Sequence, residues 1–176
     1  MEVMNALLER RSCKAYKPDA VPEALLDEVM NAAAYAPSGM GKQSPIILCV
    51  TNKEMRDRIS RLNAAVMGQG EGFDPFYGAP AVLVVLADKN VRTYLYDGSL
   101  AMGNLMHAAW DKGLGSCWIH RAKEVFASEE GKAILAELGV EGDYEGIGNC
   151  IIGYRDETVA YRDRLPRKEN FVYYAK

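Results

Sequence analysis

The longest uninterrupted apolar run in this chain reaches only from Ala79 to Ala87, and that length limits what the chain can become. It is far short of the ~18 residues a membrane span needs, and residues 81–87, rich in valine, read as a buried strand. The apolar residues around it alternate between strand and helix spacing. Val3, Met4, Leu7 and Leu8 form one face of a short helix, expected to be tied down by packing, and Pro22 opens a second with Leu25, Leu26, Val29, Met30 and Ala33 inside. Met55, Ile59, Leu62 and Val66 mark a third. Asp97 is placed to cap a helix from Gly98 to about Lys112 that is apolar nearly all round and so central, and 128–138 is a fifth. Strands are predicted at 45–51, 81–87, 116–120 and 146–154, with strand character again at 170–174. Five strands interleaved with about five helices predict one domain, residues 1–176, with a sheet covered by helices on both faces. The Gly-rich stretch 67–78, which carries Phe73, Phe76 and Tyr77, reads as a surface excursion: either a pocket cover or a loop anchored by its aromatic rings.

Charge and cysteine usage narrow the function classes. A net charge of −3, from 21 Lys+Arg against 24 Asp+Glu, argues against a general nucleic-acid binder. Glu2, Glu9, Arg10 and Arg11 interrupt the N-terminus where a signal peptide would be apolar, which predicts a cytoplasmic protein with no membrane association. The cysteines at 13, 49, 117 and 150 have no C-x-x-C spacing, and the last three lie in apolar strand-like runs, so they read as small buried hydrophobes. His107 and His120 have no partners at metal-ligand spacing, and no metal site is expected. His107, on the apolar helix, reads as a hydrogen-bonded core residue. A G-x-S-x-G elbow is absent, the string from Gly39 to Ser44 lacks the first Gly and the Ser or Thr after Lys that a P-loop needs, and no G-x-G-x-x-G follows a strand.

What remains is a pair of basic windows at opposite ends of the chain. One holds Arg10, Arg11, Lys14 and Lys17, the other Arg162, Arg164, Arg167 and Lys168. Arg grips phosphate in bidentate fashion, Lys adds a point charge, and Ser12 adds a neutral donor. Two cation clusters without a nucleophile or a metal suit an organic cofactor with a phosphate tail, although a solvated charge run is the commoner meaning of such residues.

Three motifs tip that balance. R-R-S-x-K-x-Y from Arg10, A-P-S-G-x-x-x-Q-S-P from Ala36 and G-L-G-S-C-W-I from Gly113, followed by Ile151-Ile-Gly-Tyr, together resemble the nitroreductase family of FMN-dependent oxidoreductases, over nearly the whole chain. The resemblance implies an α+β, three-layer fold with a central mixed, mostly antiparallel sheet flanked by helices, the C-terminal segment reaching the partner subunit of a homodimer. It implies FMN bound between subunits. Arg10, Arg11, Ser12 and Lys14 would hold its phosphate, ribityl chain and pyrimidine edge. Ser38, Gly39 and Gln43 would come from the other subunit, Gly115 and Ser116 would offer backbone amides near N5 and O4, and Arg167 and Lys168 would close on the phosphate, a role Arg162 and Arg164 could serve equally.

No side chain is then needed as a catalyst. In a ping-pong exchange NADH or NADPH would deliver hydride to the flavin, and a small electron-poor acceptor such as a nitroaromatic or quinone would collect the reducing equivalents. Lys14 would supply positive charge on the pyrimidine side. One departure stands out: many members carry Asn where this chain has Gly41. A flavin-binding sensor or carrier without turnover is the alternative from another class, and a module gripping a phosphorylated metabolite is a third.

Overall fold

The structure, a computed structural model, describes residues 3–176. Glu2, one of the charges taken to interrupt the N-terminus, lies outside them. Helix α1 (Val3–Glu9) and α2 (Glu23–Ala34) precede strand β1 (Pro45–Val50), with a single 3-10 turn at Gly39–Gly41 between α2 and β1. Then follow α3 (Lys53–Val66), β2 (Ala81–Asp88), α4 (Tyr94–Asp111), β3 (Gly115–Ile119), α5 (Ala122–Ala127), α6 (Glu129–Glu137) and β4 (Tyr144–Gly153). The sheet order is β1-β2-β4-β3 and all three pairings are antiparallel. The four-stranded sheet is therefore antiparallel throughout, where a mixed, mostly antiparallel sheet was expected; the one isolated parallel bridge among the described residues, Ser12–Ser116, joins β3 to a residue outside the strands.

Strand β2 explains the layering. Because successive side chains point to opposite faces, Leu83, Val85 and Ala87 pack with Leu26 and Val29 of α2 and Met102 and Leu105 of α4, and Val82, Val84 and Leu86 pack with Ile59 of α3, Val125 and Phe126 of α5 and Ile134 of α6. A strand with a helical layer on each side has no face left for polar residues, so its sequence reads as one continuous apolar run. This is the predicted α+β architecture in three layers.

Four further expectations need correction. The segment 170–174 pairs with no strand and is exposed, so among the described residues the sheet has four strands; an extended segment must lie along an edge to pair, and this tail meets none among them. Helix α5 adds to the predicted set, because six residues with apolar neighbours at Val125 and Phe126 give no periodicity to read. The N-terminal helix is not tied down by its apolar face: only Ala6 is buried, and Val3, Met4, Leu7 and Leu8 are 50–73% exposed. Cys49 is exposed on β1, whereas Cys13, Cys117 and Cys150 are buried; all four thiols are free.

Candidate functional site

The N-terminal basic motif is shaped by the edge of the sheet. Helix α1 ends when the Arg10 amide donates to the Ala6 carbonyl (3.2 Å), and the chain then runs extended beside β3, with the Cys13 amide donating to the Ser116 carbonyl at 2.9 Å. Extended chain alternates its side chains. Cys13 turns inward and is buried, and Ser12 and Lys14 turn outward together. Gly115 is required here: a Cβ on it would sit 2.6 Å from the Cys13 Sγ, so only glycine lets the two backbones approach this closely. The Tyr16 hydroxyl donates to the Cys13 carbonyl (2.8 Å), and the Lys17 amide donates to the Tyr154 carbonyl (2.9 Å), which completes the anchoring. Burial pushes the Cys13 thiol and the Tyr16 phenol up, so both stay protonated and act as packing groups.

Arg10 is half-buried, and its Nη1 is shielded from solvent without a hydrogen-bond partner. A buried guanidinium nitrogen with no acceptor is costly. His107 on α4 lies near the Arg10 cation: burial first, and then that cation, hold its imidazole below the usual range and favour the neutral form. His107 is therefore partly buried beside the cationic cluster, where the sequence suggested a core residue.

The two basic ends do meet. The Arg11 guanidinium donates to the Arg162 carbonyl and lies 5.6 Å from the Tyr161 ring centroid, and Arg155 covers the same ring at 4.1 Å. Arg164 pairs with Glu9 at 2.7 Å, and the Asp156 amide donates to the Ala15 carbonyl at 3.0 Å. The contacts thus bring 155–164 against the N-terminal motif. Arg167 and Lys168 are exposed, and the Arg167 guanidinium makes a local bond to the Leu165 carbonyl (2.9 Å) that does not draw it toward Arg10.

Ser38, Gly39 and Gln43 occupy a different place. The Gln43 amide donates to the Ser38 Oγ (3.0 Å), and the Gly39 amide donates to the Asp97 carboxylate at the start of α4 (2.9 Å). A cleft of about 210 Å³ opens beside them, lined by Ala33, Pro37, Ser38, Gln43, Ile47 and Ala101 among others. The hydrogen-bond partners of this loop and those of the Arg10–Lys14 segment are disjoint. Gly41 has φ +66° and open space within 4 Å of where a Cβ would stand, so an Asn would fit there and its absence is not a packing requirement.

The contacts of three residues were not legible in the sequence, although it marked Asp97 as a cap and Tyr77 as part of the excursion. Asp97 does not cap a helix starting at Gly98: α4 begins at Tyr94 with Thr93 ahead of it, and Asp97 lies buried in the first turn. Tyr77 meets Lys14, whose ammonium is 5.2 Å from its ring centroid. Asp74 clamps the 67–78 excursion, accepting from Arg56 (2.8 Å), Ser60 (2.6 Å), the Phe76 amide (2.9 Å) and the Gly78 amide (2.7 Å). Phe76 is wholly buried and anchors the loop, and Phe73 and Tyr77 stay half exposed. Only the acidic Asp-Pro pair at 74–75 hinted at such a turn.

A model of the Nitroreductase family matches residues 7–154. Two relatives, from Methanothermobacter thermautotrophicus (29% identical, over 67% of this chain and 60% of the other) and Archaeoglobus fulgidus (30%, over 96% and 98%), carry NADH dehydrogenase/NAD(P)H nitroreductase in their names. The first match therefore spans less than two thirds of the relative's length. Among solved structures, a nitroreductase from Bacteroides fragilis with bound FMN superposes over all of both chains with a TM-score of 0.89 at 27% identity.

Proposed function

The chain belongs to the nitroreductase family, and from that premise we propose that it is an FMN-dependent oxidoreductase passing reducing equivalents from NADH or NADPH to a small electron-poor acceptor, such as a nitroaromatic or quinone, in a ping-pong sequence. The observation that carries this reading is the buried, unpartnered Nη1 of Arg10. It lies on the segment whose Ser12 and Lys14 face outward together beside Gly115 and Ser116, a donor set that fits a phosphate monoester with a polyol chain behind it. Bound there, FMN supplies redox chemistry at its isoalloxazine ring.

The residues do the rest by position. Arg10 and Ser12 bind the phosphate and ribityl oxygens, Arg11 fixes the returning tail through the Arg162 carbonyl, and Lys14 holds positive charge on the pyrimidine side. Gly115 and Ser116, both buried on β3 with the Cys13 side chain over the glycine, would offer backbone amides near the flavin ring. Arg167 and Lys168 would add charge at the phosphate, a role that Arg162, whose carbonyl meets Arg11, and Arg164, paired with Glu9, could serve equally.

Ser38, Gly39 and Gln43 complete the site from a second protomer, so the enzyme works as a homodimer. Support comes from the exposed apolar residues of α1, from Leu95, Tyr96 and Leu100 along α4, and from Phe171, Val172, Tyr173 and Tyr174 in the tail, which reaches across to the partner. Among the described residues no helix is long and apolar enough to cross a membrane. The four free thiols suit a reducing cytoplasm.

The test is an absorption spectrum of protein purified without added cofactor, followed by anaerobic titration with NADH and then NADPH. Flavin bands that bleach with either nucleotide are expected. A colourless protein that takes up no FMN would refute the reading, and bound flavin that neither nucleotide bleaches would leave a carrier instead of a reductase.

A further inference from the structure

The Ser38–Ser44 loop is held in a conformation its own sequence does not favour. Met40 (φ 53°) and Gln43 (φ 49°) both sit in the left-handed region, with Gly41 (φ 66°) between them. Neither Met nor Gln adopts that region readily, and such residues persist where surrounding structure over-determines them. Gln43 is one of the two side chains this loop offers to the cofactor.

Asp97 is the surrounding structure. It is 2% exposed. Its Oδ1 accepts from the Gly39 amide at 2.9 Å, at the start of the loop, and its Oδ2 accepts from the Ser44 hydroxyl at 2.8 Å, at the end. The Thr93 hydroxyl donates to the same Oδ2 at 3.1 Å. Gly39 lies so close to Thr93 that a Cβ there would come within 2.3 Å of the Thr93 Oγ1, so the loop has no room to slide along α4. Burial would raise its carboxyl, but the three donors, all neutral, together with the N-terminus of α4 outweigh it and keep the carboxylate charged. One carboxylate spans both ends of the strained segment.

We propose that Asp97 is a positioning residue for the cofactor: from the first turn of α4 it staples both ends of the Ser38–Ser44 loop and so sets where Ser38 and Gln43 meet the flavin of the neighbouring subunit. This rests on the FMN site argued above. Asp97 also lines the cleft beside Ser38 and Gln43, and its two oxygens are taken up by the Gly39, Ser44 and Thr93 donors, so its effect on the flavin runs through the loop.

The test compares Asp97→Ala, Asp97→Asn and Thr93→Val with the parent protein. FMN affinity is measured by quenching of flavin fluorescence at a temperature where circular dichroism shows every variant folded, and the visible circular dichroism of the bound flavin is recorded alongside. Asp97→Ala leaves the Gly39 amide and both hydroxyls unpaired, and a rise in Kd of about tenfold or more is expected with an altered visible spectrum. Asp97→Asn still accepts from Gly39, and its amide can donate to hydroxyls that rotate to accept, so it restores affinity and spectrum to near those of the parent. Thr93→Val keeps the close contact with Gly39 and loses one bond, and gives a folded intermediate case if Asp97→Ala does not fold. Parent-like affinity and spectra in both Asp97→Ala and Thr93→Val would overturn the proposal, as would an Asp97→Asn protein as impaired as Asp97→Ala. A parent protein that binds no FMN would instead refute the site itself.

Discussion

Replacing Asp74 by Asn probes how the 67–78 segment is held over the site. The Asp74 carboxylate accepts four hydrogen bonds, two on each oxygen. Its charged partner, Arg56, has a side chain only 9% exposed and also donates to the Ala79 carbonyl at 3.1 Å. An amide of the same shape has one acceptor oxygen and turns two N–H groups toward Arg56 and its neighbouring donors. Breaking a largely buried pair in this way costs about 3 kcal/mol. For a chain of this size that lowers Tm by ~6–12 °C.

Part of the cost depends on pH. Burial alone would raise the Asp74 carboxyl, but the Arg56 guanidinium, the Ser60 hydroxyl and the Gly78 and Phe76 amides outweigh it and bring it from 3.8 down to about 2. That corresponds to about 2 kcal/mol. With 35% of the side chain in water, screening reduces it to about 1 kcal/mol. A carboxyl lowered in the folded state contributes stability that is full above 3.8 and is lost as the pH falls through about 2. The stability gap between parent and variant, from urea unfolding at matched pH, is therefore widest at neutral pH and narrows by about a third between pH ~4 and ~2. A gap that stays constant over that range, or an Asp74→Asn protein as stable as the parent, would refute the clamp.

Arg10→Ala is expected to weaken FMN binding about 10- to 100-fold, the worth of a charged hydrogen bond, while the Tm of the cofactor-free protein holds or rises because a buried unpartnered nitrogen is gone; calorimetry with and without FMN reads both. Tyr77→Phe keeps the ring over Lys14 and leaves the flavin midpoint potential unchanged, whereas Tyr77→Leu removes a contact worth ~0.5–1 kcal/mol and is expected to lower the potential as Lys14 loses its fixed position. Gly115→Ala drives a methyl into the Cys13 Sγ and costs ~1–3 kcal/mol with loss of bound flavin; adding Cys13→Ala, which removes that sulfur, recovers part of both, as chemical unfolding and flavin content will show.

The legible part of the fold was the part written in neighbouring residues. The apolar run along 81–87 and the spacing of Leu26, Val29 and Ala33 each depend only on the period and burial of one element, so β2 and α2 emerge where expected. The start of α4 differs from expectation because an Asp before an apolar stretch carries the same local signature whether it caps a helix or reaches outward from its first turn. The fifth strand failed for the opposite reason: 170–174 has the composition of a strand, but pairing requires lying beside an edge, and the tail does not run along β1 or β3, the two edges of this sheet.

The cation cluster, the glycine before Ser116 and the loop at Ser38 could be named from sequence because each is a run of adjacent residues with recognisable chemistry. Whether they meet is a matter of path. Sequence alone determined the longer helices, the strands β1 to β4 and where positive charge gathers, since those follow from local periodicity and residue type. Tertiary structure decided that Arg10 is left with an unpartnered nitrogen, that Tyr77 lies over Lys14, and that Asp97 grips both ends of a loop 58 residues from it at Gly39. Such contacts join residues distant along the chain, and they are set by how the layers close on the sheet, which no local pattern encodes.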